Sequence, residues 1–180
     1  MKRRSGPERV LIVDGYNVLN ARRQLEGASA LSDARDALIA RLQDYAGFSG
    51  QRIVLVFDAW QGDRQTRSEE EHGGVRVVFT RKGETADHYI ERLCDDYAED
   101  IEYRRVEVRV ATSDALEQTI VLGRGATRLS SWELLLEMQQ VRAHGVSRAQ
   151  TAPKRSTVAD RIPAEVVERM RSMVREGSKD

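Results

Sequence analysis

The strongest constraint on this chain is the alternation of two kinds of segment. Short β-branched runs occur at Arg9–Val13, Arg52–Phe57, Val75–Thr80 and Val106–Ala111, with a shorter one at Ala126–Leu129. Stretches of helical periodicity fill the intervals between them. The first two runs are almost continuously apolar, as expected of strands covered on both faces of a parallel sheet. Val106–Ala111 alternates instead, with Glu107 and Arg109 directed away from Val106, Val108 and Val110. One of its faces is therefore expected to be less deeply covered, or to carry long side chains that reach solvent. Strands joined to helices by short connections build a three-layer α/β/α sandwich around a mainly parallel central sheet.

The helix signals are specific to position. After Ser32, the residues Ala34, Leu38, Leu42 and Tyr45 share one face, and Gly47 is the expected terminator. After Thr85, Tyr89, Ile90, Leu93 and Tyr97 do the same, and Cys94 falls among them as a small core residue. Ser113 is the expected cap of a helix carrying Leu116, Ile120 and Val121, closed by Gly123 and Gly125. Ser130 with Glu133 forms a capping box before Leu134, Leu135, Met138 and Val141. Gly62–Gly74 reads as a long polar loop and Gly145–Ala159 as a linker, followed by an amphipathic helix from Pro163 through Val166, Val167, Met170 and Val174. The expected division is a folded domain over 1–144 and a basic linker with a C-terminal helix over 145–180.

Charge adds a second constraint. The 180 residues carry 29 Lys and Arg against 29 Asp and Glu, so no global charge announces a polyanionic partner. The balance is uneven along the chain. Residues 1–9 hold four cations against one acid, and residues 142–180 hold nine against five, which leaves a net of −7 between them. An acidic body with basic ends suits a cation-requiring centre whose flanks meet a polyanion, and equally suits solvated termini on a soluble enzyme of another kind. One cysteine excludes an intramolecular disulfide and a cysteine-based metal site. The run Val10–Val13 stops at Asp14, too short for a signal-peptide core or a membrane span, so a cytoplasmic protein with no membrane partner is expected.

The acids fall where a parallel sheet places its ligands. Asp14 follows the first strand, Asp58 the second, and Asp114 the alternating strand, each at a carboxyl end. Asp87 opens a helix and is placed to lean in from the side. If the strands are neighbours these carboxylates converge, and like charges at short range in a partly desolvated cleft require protonation or a cation. Oxygen donors without cysteine or clustered histidine favour Mg²⁺ or Mn²⁺ over zinc. A hard ion so held binds a phosphate oxygen and activates water, which points to phosphodiester or phosphomonoester hydrolysis. Three of the acids also have a structural reading, Asp14 and Gly15 as a turn, Asp87 and Asp114 as first-turn helix acids; Asp58, ending the run Ile53–Phe57 at the rim of the core, is harder to read that way.

The neighbouring polar residues divide in the same way. The Asn17 amide can hold a scissile phosphate or a metal-bound water, or cap the following segment, and the hydroxyls of Thr112 and Ser113 can donate to phosphate or serve as caps. Glu84 and Glu117 are candidate outer ligands or surface acids. His72, His88 and His144 are scattered, and neither a Walker A nor a dinucleotide fingerprint is present. Gly123-Arg124-Gly125 reads as a helix C-cap.

Four motifs then occur in a fixed order: Val13-Asp14-Gly15-Tyr16-Asn17, Val56-Phe57-Asp58-Ala59, Gly83-Glu84-Thr85-Ala86-Asp87, and Ala111-Thr112-Ser113-Asp114 with Glu117-Gln118. Together with Gly125, Arg128, Ser130, Glu133 and Leu134 they resemble the YacP-like NYN-domain ribonucleases of the PIN superfamily, over nearly the whole chain. The resemblance implies a PIN-like sandwich whose acidic pocket binds Mg²⁺ or Mn²⁺ and cleaves single-stranded RNA internally. It also implies a link to mRNA decay, with the ribosome as a partner. By motif match Asp14, Asp58, Asp87 and Asp114 form the pocket, with Asn17 beside it. The segment Trp60–Gly74 and the tail depart from the family pattern.

The expected chemistry is hydrolysis of RNA to 5′-phosphate and 3′-hydroxyl ends. Asp14 and Asp114 are the expected main ligands, with Asp58 and Asp87 in the outer shell, positioning water, or holding a second ion. RNA-backbone candidates are Arg22, Arg23, Arg81, Lys82, Arg124 and Arg128; Trp60 and Tyr16 are candidates for base stacking. Two other classes compete. A small-molecule phosphatase of the aspartyl-phosphate type wants an Asp two residues after its nucleophile, where this chain has Tyr16. A non-catalytic module would dock on RNA or ribosomes through its basic ends.

Overall fold

The computed structural model describes residues 6–26, 30–59 and 65–151. Six strands and five helices follow in the order β1 (Glu8–Asp14), α1 (Gly15–Glu26), α2 (Leu31–Ser49), β2 (Arg52–Phe57), β3 (Ser68–His72), β4 (Val75–Phe79), α3 (Ala86–Glu102), β5 (Val106–Ala111), α4 (Ala115–Gly123), β6 (Thr127–Leu129) and α5 (Ser131–Thr151). The strands form one sheet ordered β3-β4-β2-β1-β5-β6, parallel except for β3 against β4. The α/β sandwich with a mainly parallel sheet is thus the observed architecture. No helix among the described residues is long and apolar enough to cross a membrane.

The alternation of side chains across the sheet builds two cores. Leu11, Val13, Leu55 and Phe57 face Val18 of α1, Leu38 and Leu42 of α2 and Leu134 of α5. Val10, Ile12, Val54, Val56, Val108 and Val110 face Tyr89, Ile90, Leu93 and Cys94 of α3 and Val121 of α4. β1 and β2 are buried along nearly their whole length, which is why their sequences show no alternation. On β5 the alternation has a specific cause. Arg109 lies on the face covered by α5, where both its terminal nitrogens donate to Glu137, at 2.6 and 3.2 Å. The Tyr45 hydroxyl donates to the same carboxylate at 2.5 Å.

Three local readings are corrected. α1 was not expected, because Asp14-Gly15 reads as a turn; instead Asp14 caps a helix, its Oδ1 accepting the Asn17 N–H at 3.0 Å. β3 lies inside the expected loop Gly62–Gly74. Its Ser-Glu-Glu-Glu-His sequence has no apolar face, but Gly73 and Gly74, at φ of 51° and 89°, turn it onto β4 with His72 opposite Val75. A charged edge strand also resists pairing with another chain. The second helix passes through Gly47 and ends at Gly50, which takes the left-handed conformation (φ 65°) and donates to the Ala46 carbonyl at 2.8 Å.

The other caps behave as their residue types dictate. Thr85 accepts from the His88 N–H, and the capping box is present, Ser130 N–H to Glu133 at 2.7 Å and Glu133 N–H to Ser130 at 3.1 Å. Gly125 closes the turn after α4 at φ 80°. The chain divides between His144 and Gly145. Helix α5 continues to Thr151, where a linker was expected from Gly145; Arg148, Ala149 and Gln150 are good helix formers and one glycine is tolerated. The rest of the expected linker and the Pro163 helix lie outside the described residues.

Candidate active site

The register of the sheet brings the acids to one edge. Asp14 ends β1 opposite Val56, two residues before Asp58, while Val13 pairs with Ala111, three residues before Asp114. Asp87 stands in the first turn of α3. Asp58 is tied to that helix, its Oδ1 accepting the Ala86 N–H in a short hydrogen bond. Thr80, at the end of β4, closes the same corner, donating its N–H to the Phe57 carbonyl and accepting the Ala59 N–H on its hydroxyl, both at 3.0 Å.

Electrostatics couple these groups. Asp14 is only 8% exposed. Burial, then the charges of Asp87 and Asp58, push its carboxyl up to about 6 against the restraining Asn17 N–H bond. Asp87 stands at the surface; its carboxyl is also pushed upward, first by the protein mass around it and then by Asp114 and Asp58. Asp14 thus feels the charges of Asp58 and Asp87, and Asp87 those of Asp58 and Asp114.

Asn17 and the residues before Asp114 form a braced corner. The Asn17 Oδ1 accepts the Ser113 N–H at 2.9 Å and the Ser131 hydroxyl at 3.0 Å. The Ser113 hydroxyl accepts the Ser131 N–H at 3.2 Å. α4 begins at Ala115, so Asp114 rather than Ser113 stands at its boundary. Thr112 is fully buried, its hydroxyl accepting the Asp114 N–H at 3.1 Å, which puts it beneath the rim rather than on it. Gln118 joins this corner to β6, donating to the Thr112 carbonyl at 2.7 Å and accepting from Arg128 at 3.2 Å. Sequence reasoning missed Ser131, because nothing local distinguishes it from a second capping serine.

The remaining candidates separate. Arg81 and Lys82 lie exposed on the turn after β4, at the acid edge. Arg124 follows α4 at the opposite edge, its Nε donating to Asp95 at 2.5 Å with Glu91 at 3.8 Å, so it is a surface ion-pair partner. Arg22 and Arg23 sit two turns into α1. Tyr16 packs edge-on against Phe57 with ring centroids 5.2 Å apart. Glu84 is not an outer ligand: Arg67 holds it at 2.6 Å, Arg92 also pairs with it, and Arg67 lies over the Tyr89 ring. Trp60 and the side chain of Glu117 lie outside what is described.

Among the described residues no three acid, histidine or cysteine side chains already have the spacing to enclose an ion. Mg²⁺ needs only one or two carboxylates, taking its other ligands from water and phosphate oxygens. A carboxylate raised first by burial and then by acidic neighbours, in an all-oxygen donor set, fits such a hard ion. The chemistry available is therefore cation-assisted capture of a phosphate group at a sheet edge.

Comparison with known proteins places the chain among relatives. Residues 11–175 match the YacP-like NYN domain family. The uncharacterized protein YacP of Bacillus subtilis (strain 168) is 38% identical over 134 residues, 73% of this chain and 76% of its own. The crystal structure of Rae1 (YacP) from Bacillus subtilis superposes with a TM-score of 0.67 at 33% identity, covering 93% of this chain and 95% of that one. A single-residue variant of the same protein gives 0.65 at 34% identity over 84% and 88%.

Proposed function

The chain belongs to the YacP-like NYN domain family, and we propose that it is an endoribonuclease that hydrolyses phosphodiester bonds of single-stranded RNA with the help of Mg²⁺ or Mn²⁺. The observation that carries this reading is the buried Asp14 carboxyl, raised to about 6 with Asp87 and Asp58 as its charged neighbours. That concentration of carboxylate disfavours folding unless a cation or a proton meets it, and a phosphate-cleaving site supplies the reason to keep it.

Asp14 and Asp114 are the residues that would hold the ion, with Asp58 and Asp87 around it. An ion held there would supply neutralisation of charge on a phosphate oxygen and a lowered pKa for water. The protein's part is to fix geometry. Asp14 is anchored by the Asn17 N–H, Asp58 by the Ala86 N–H and Asp114 through the Thr112 hydroxyl on its own N–H. In hydrolysis the water oxygen forms a bond to phosphorus, the P–O3′ bond breaks, and the water proton passes to a free carboxylate oxygen of the rim. The 3′ oxygen leaves as a hydroxyl after taking a proton from solvent, and the other product carries the 5′-phosphate.

Lys82, Arg128 and the side-chain amide of Asn17 are the proposed contacts to the RNA backbone. A role in mRNA decay on the ribosome follows the family resemblance and the basic segments at 1–9 and 142–180. The test is a titration of Mn²⁺ against a labelled single-stranded RNA, read on a denaturing gel with end-group analysis. Cleavage that requires the ion and is lost in both Asp14→Asn and Asp114→Asn supports the reading. Retention without cleavage in any ion favours a binding module, and phosphate release from nucleotides favours a phosphatase; either result overturns it.

A further inference from the structure

We propose that Ser131 is a positioning residue that fixes the Asn17 amide so that its NH₂ group, not its carbonyl, serves the acid rim and binds a phosphate oxygen of the RNA. The inference rests on the nuclease reading above and assigns a role to a residue that none of the sequence motifs contains.

The orientation follows from donor chemistry. A backbone N–H can only donate, so the Asn17 atom 2.9 Å from the Ser113 nitrogen is Oδ1 and a flipped amide is excluded. Ser131 places its hydroxyl 3.0 Å from the same oxygen and donates to it. Ser131 is itself fully buried at the start of α5, and its N–H is held by the Ser113 hydroxyl. Three residues from α1, the loop after β5 and α5 therefore lock a single rotamer across 96 and 114 positions of sequence.

The consequence concerns what Asn17 can bind. Two donors occupy its carbonyl oxygen, which makes it a poor ligand for a cation. The planar amide puts both Nδ2 hydrogens on the arm facing away from Ser113 and Ser131. Its backbone N–H is bonded to the Asp14 carboxylate, which holds the residue itself at the acid rim. Four acids repel an incoming phosphate; a neutral double donor next to them offers the anion a hydrogen-bonding partner without adding charge. The ion and the amide would then recognise different atoms of the substrate.

The experiment compares full-length Ser131→Ala and Asn17→Asp with the unaltered chain in kcat, KM and half-saturating Mn²⁺, alongside thermal unfolding and ¹H–¹⁵N spectra of the side-chain amides. Ser131→Ala is expected to lower kcat/KM about tenfold, the loss of one orienting hydrogen bond, with half-saturating Mn²⁺ unchanged. Asn17→Asp keeps the shape but replaces the donors with an acceptor, and is expected to lose about a hundredfold. Asn17→Asp retaining activity with tighter Mn²⁺ binding would make Asn17 an ion ligand and overturn the proposal, as would wild-type kcat/KM in Ser131→Ala. The spectra separate this from failure of the nuclease reading. With a single-stranded oligonucleotide and Ca²⁺, the Asn17 NH₂ signals should shift in the unaltered chain and much less in Ser131→Ala, whether or not RNA is cut. No shift in the unaltered chain overturns the proposal.

Discussion

Gly15 lies flat against the ring of Phe57: a Cβ at Gly15 would stand 2.3 Å from Phe57 Cε1. Phe57 is fully buried at the end of β2, stacked on Phe79 with centroids 5.5 Å apart, so it cannot swing aside. Gly15→Ala is therefore expected to destabilise the fold by about 1–3 kcal/mol through overpacking and to displace Asp14, the residue before it. Phe57→Leu in the same chain should recover much of that loss. A double-mutant cycle by denaturant unfolding measures the coupling; additive effects would mean the contact is unimportant.

Glu84 gives a stability prediction with a definite sign. Burial opposes its charge, yet hydrogen bonds from Arg67 and Arg92 prevail and hold the carboxyl down at about 2. A depressed acid stabilises the folded chain above its ordinary value of 4.5, and that contribution is lost as pH falls from 4.5 towards 2. Glu84→Gln should cost about 1–2 kcal/mol at pH 7, a charged hydrogen-bond pair discounted for the exposure of the two arginines. The same variant should show little difference at pH 2. Equal destabilisation at both pH values would mean the loss is one of packing.

How far the sequence can be read depends on the range of the forces involved. Strands β1, β2, β4 and β5 were legible because each is a continuous or alternating apolar run, and the acids after β1, β2 and β5 were legible because a carboxylate after such a run must stand at an edge. α1 was hidden by Asp14-Gly15, where the glycine answers to Phe57, a residue 42 positions away, rather than to a turn. β3 was hidden because Glu69, Glu70 and Glu71 have no buried face to impose alternation; the pair Gly73-Gly74 before Val75 was the available signal. Glu84 and Ser131 could not be assigned from sequence, since their partners Arg67 and Asn17 are brought near only by the closed sheet.

The proposed backbone contacts separate from structural cations by salt dependence. Lys82 and Arg128 stand exposed at the edge that carries the acids, whereas Arg124 pairs with Asp95 at the opposite edge. Each phosphate contact to single-stranded RNA contributes about 0.7 to the slope of log affinity against log salt. Lys82→Ala and Arg128→Ala should each flatten the slope by about that amount, measured by fluorescence anisotropy in Ca²⁺. Arg124→Ala should leave it unchanged. A slope unaltered in Lys82→Ala or Arg128→Ala removes that residue from the RNA path.

Asp14 ties stability to both pH and cation. Its carboxyl is raised from 3.8 to about 6 in the folded chain, so between those values the folded form holds a proton that the unfolded form has released. Stability from this group is therefore complete below pH 3.8 and falls as pH rises to about 6, by up to about 3 kcal/mol. Asp14→Asn removes the charge while keeping a residue that can cap α1, so above pH 6 the variant should be more stable than the parent although inactive on RNA. Mn²⁺ should raise the melting temperature of the parent at pH 8, by an amount set by its concentration relative to Kd, and do so much less in Asp14→Asn. Scanning calorimetry at pH 5 and pH 8, with and without Mn²⁺, reads all of these together. A parent chain that gains nothing from the ion at pH 8, with a variant no more stable than it, would mean that the carboxylate cluster at this edge is not under electrostatic load and has no need of a cation.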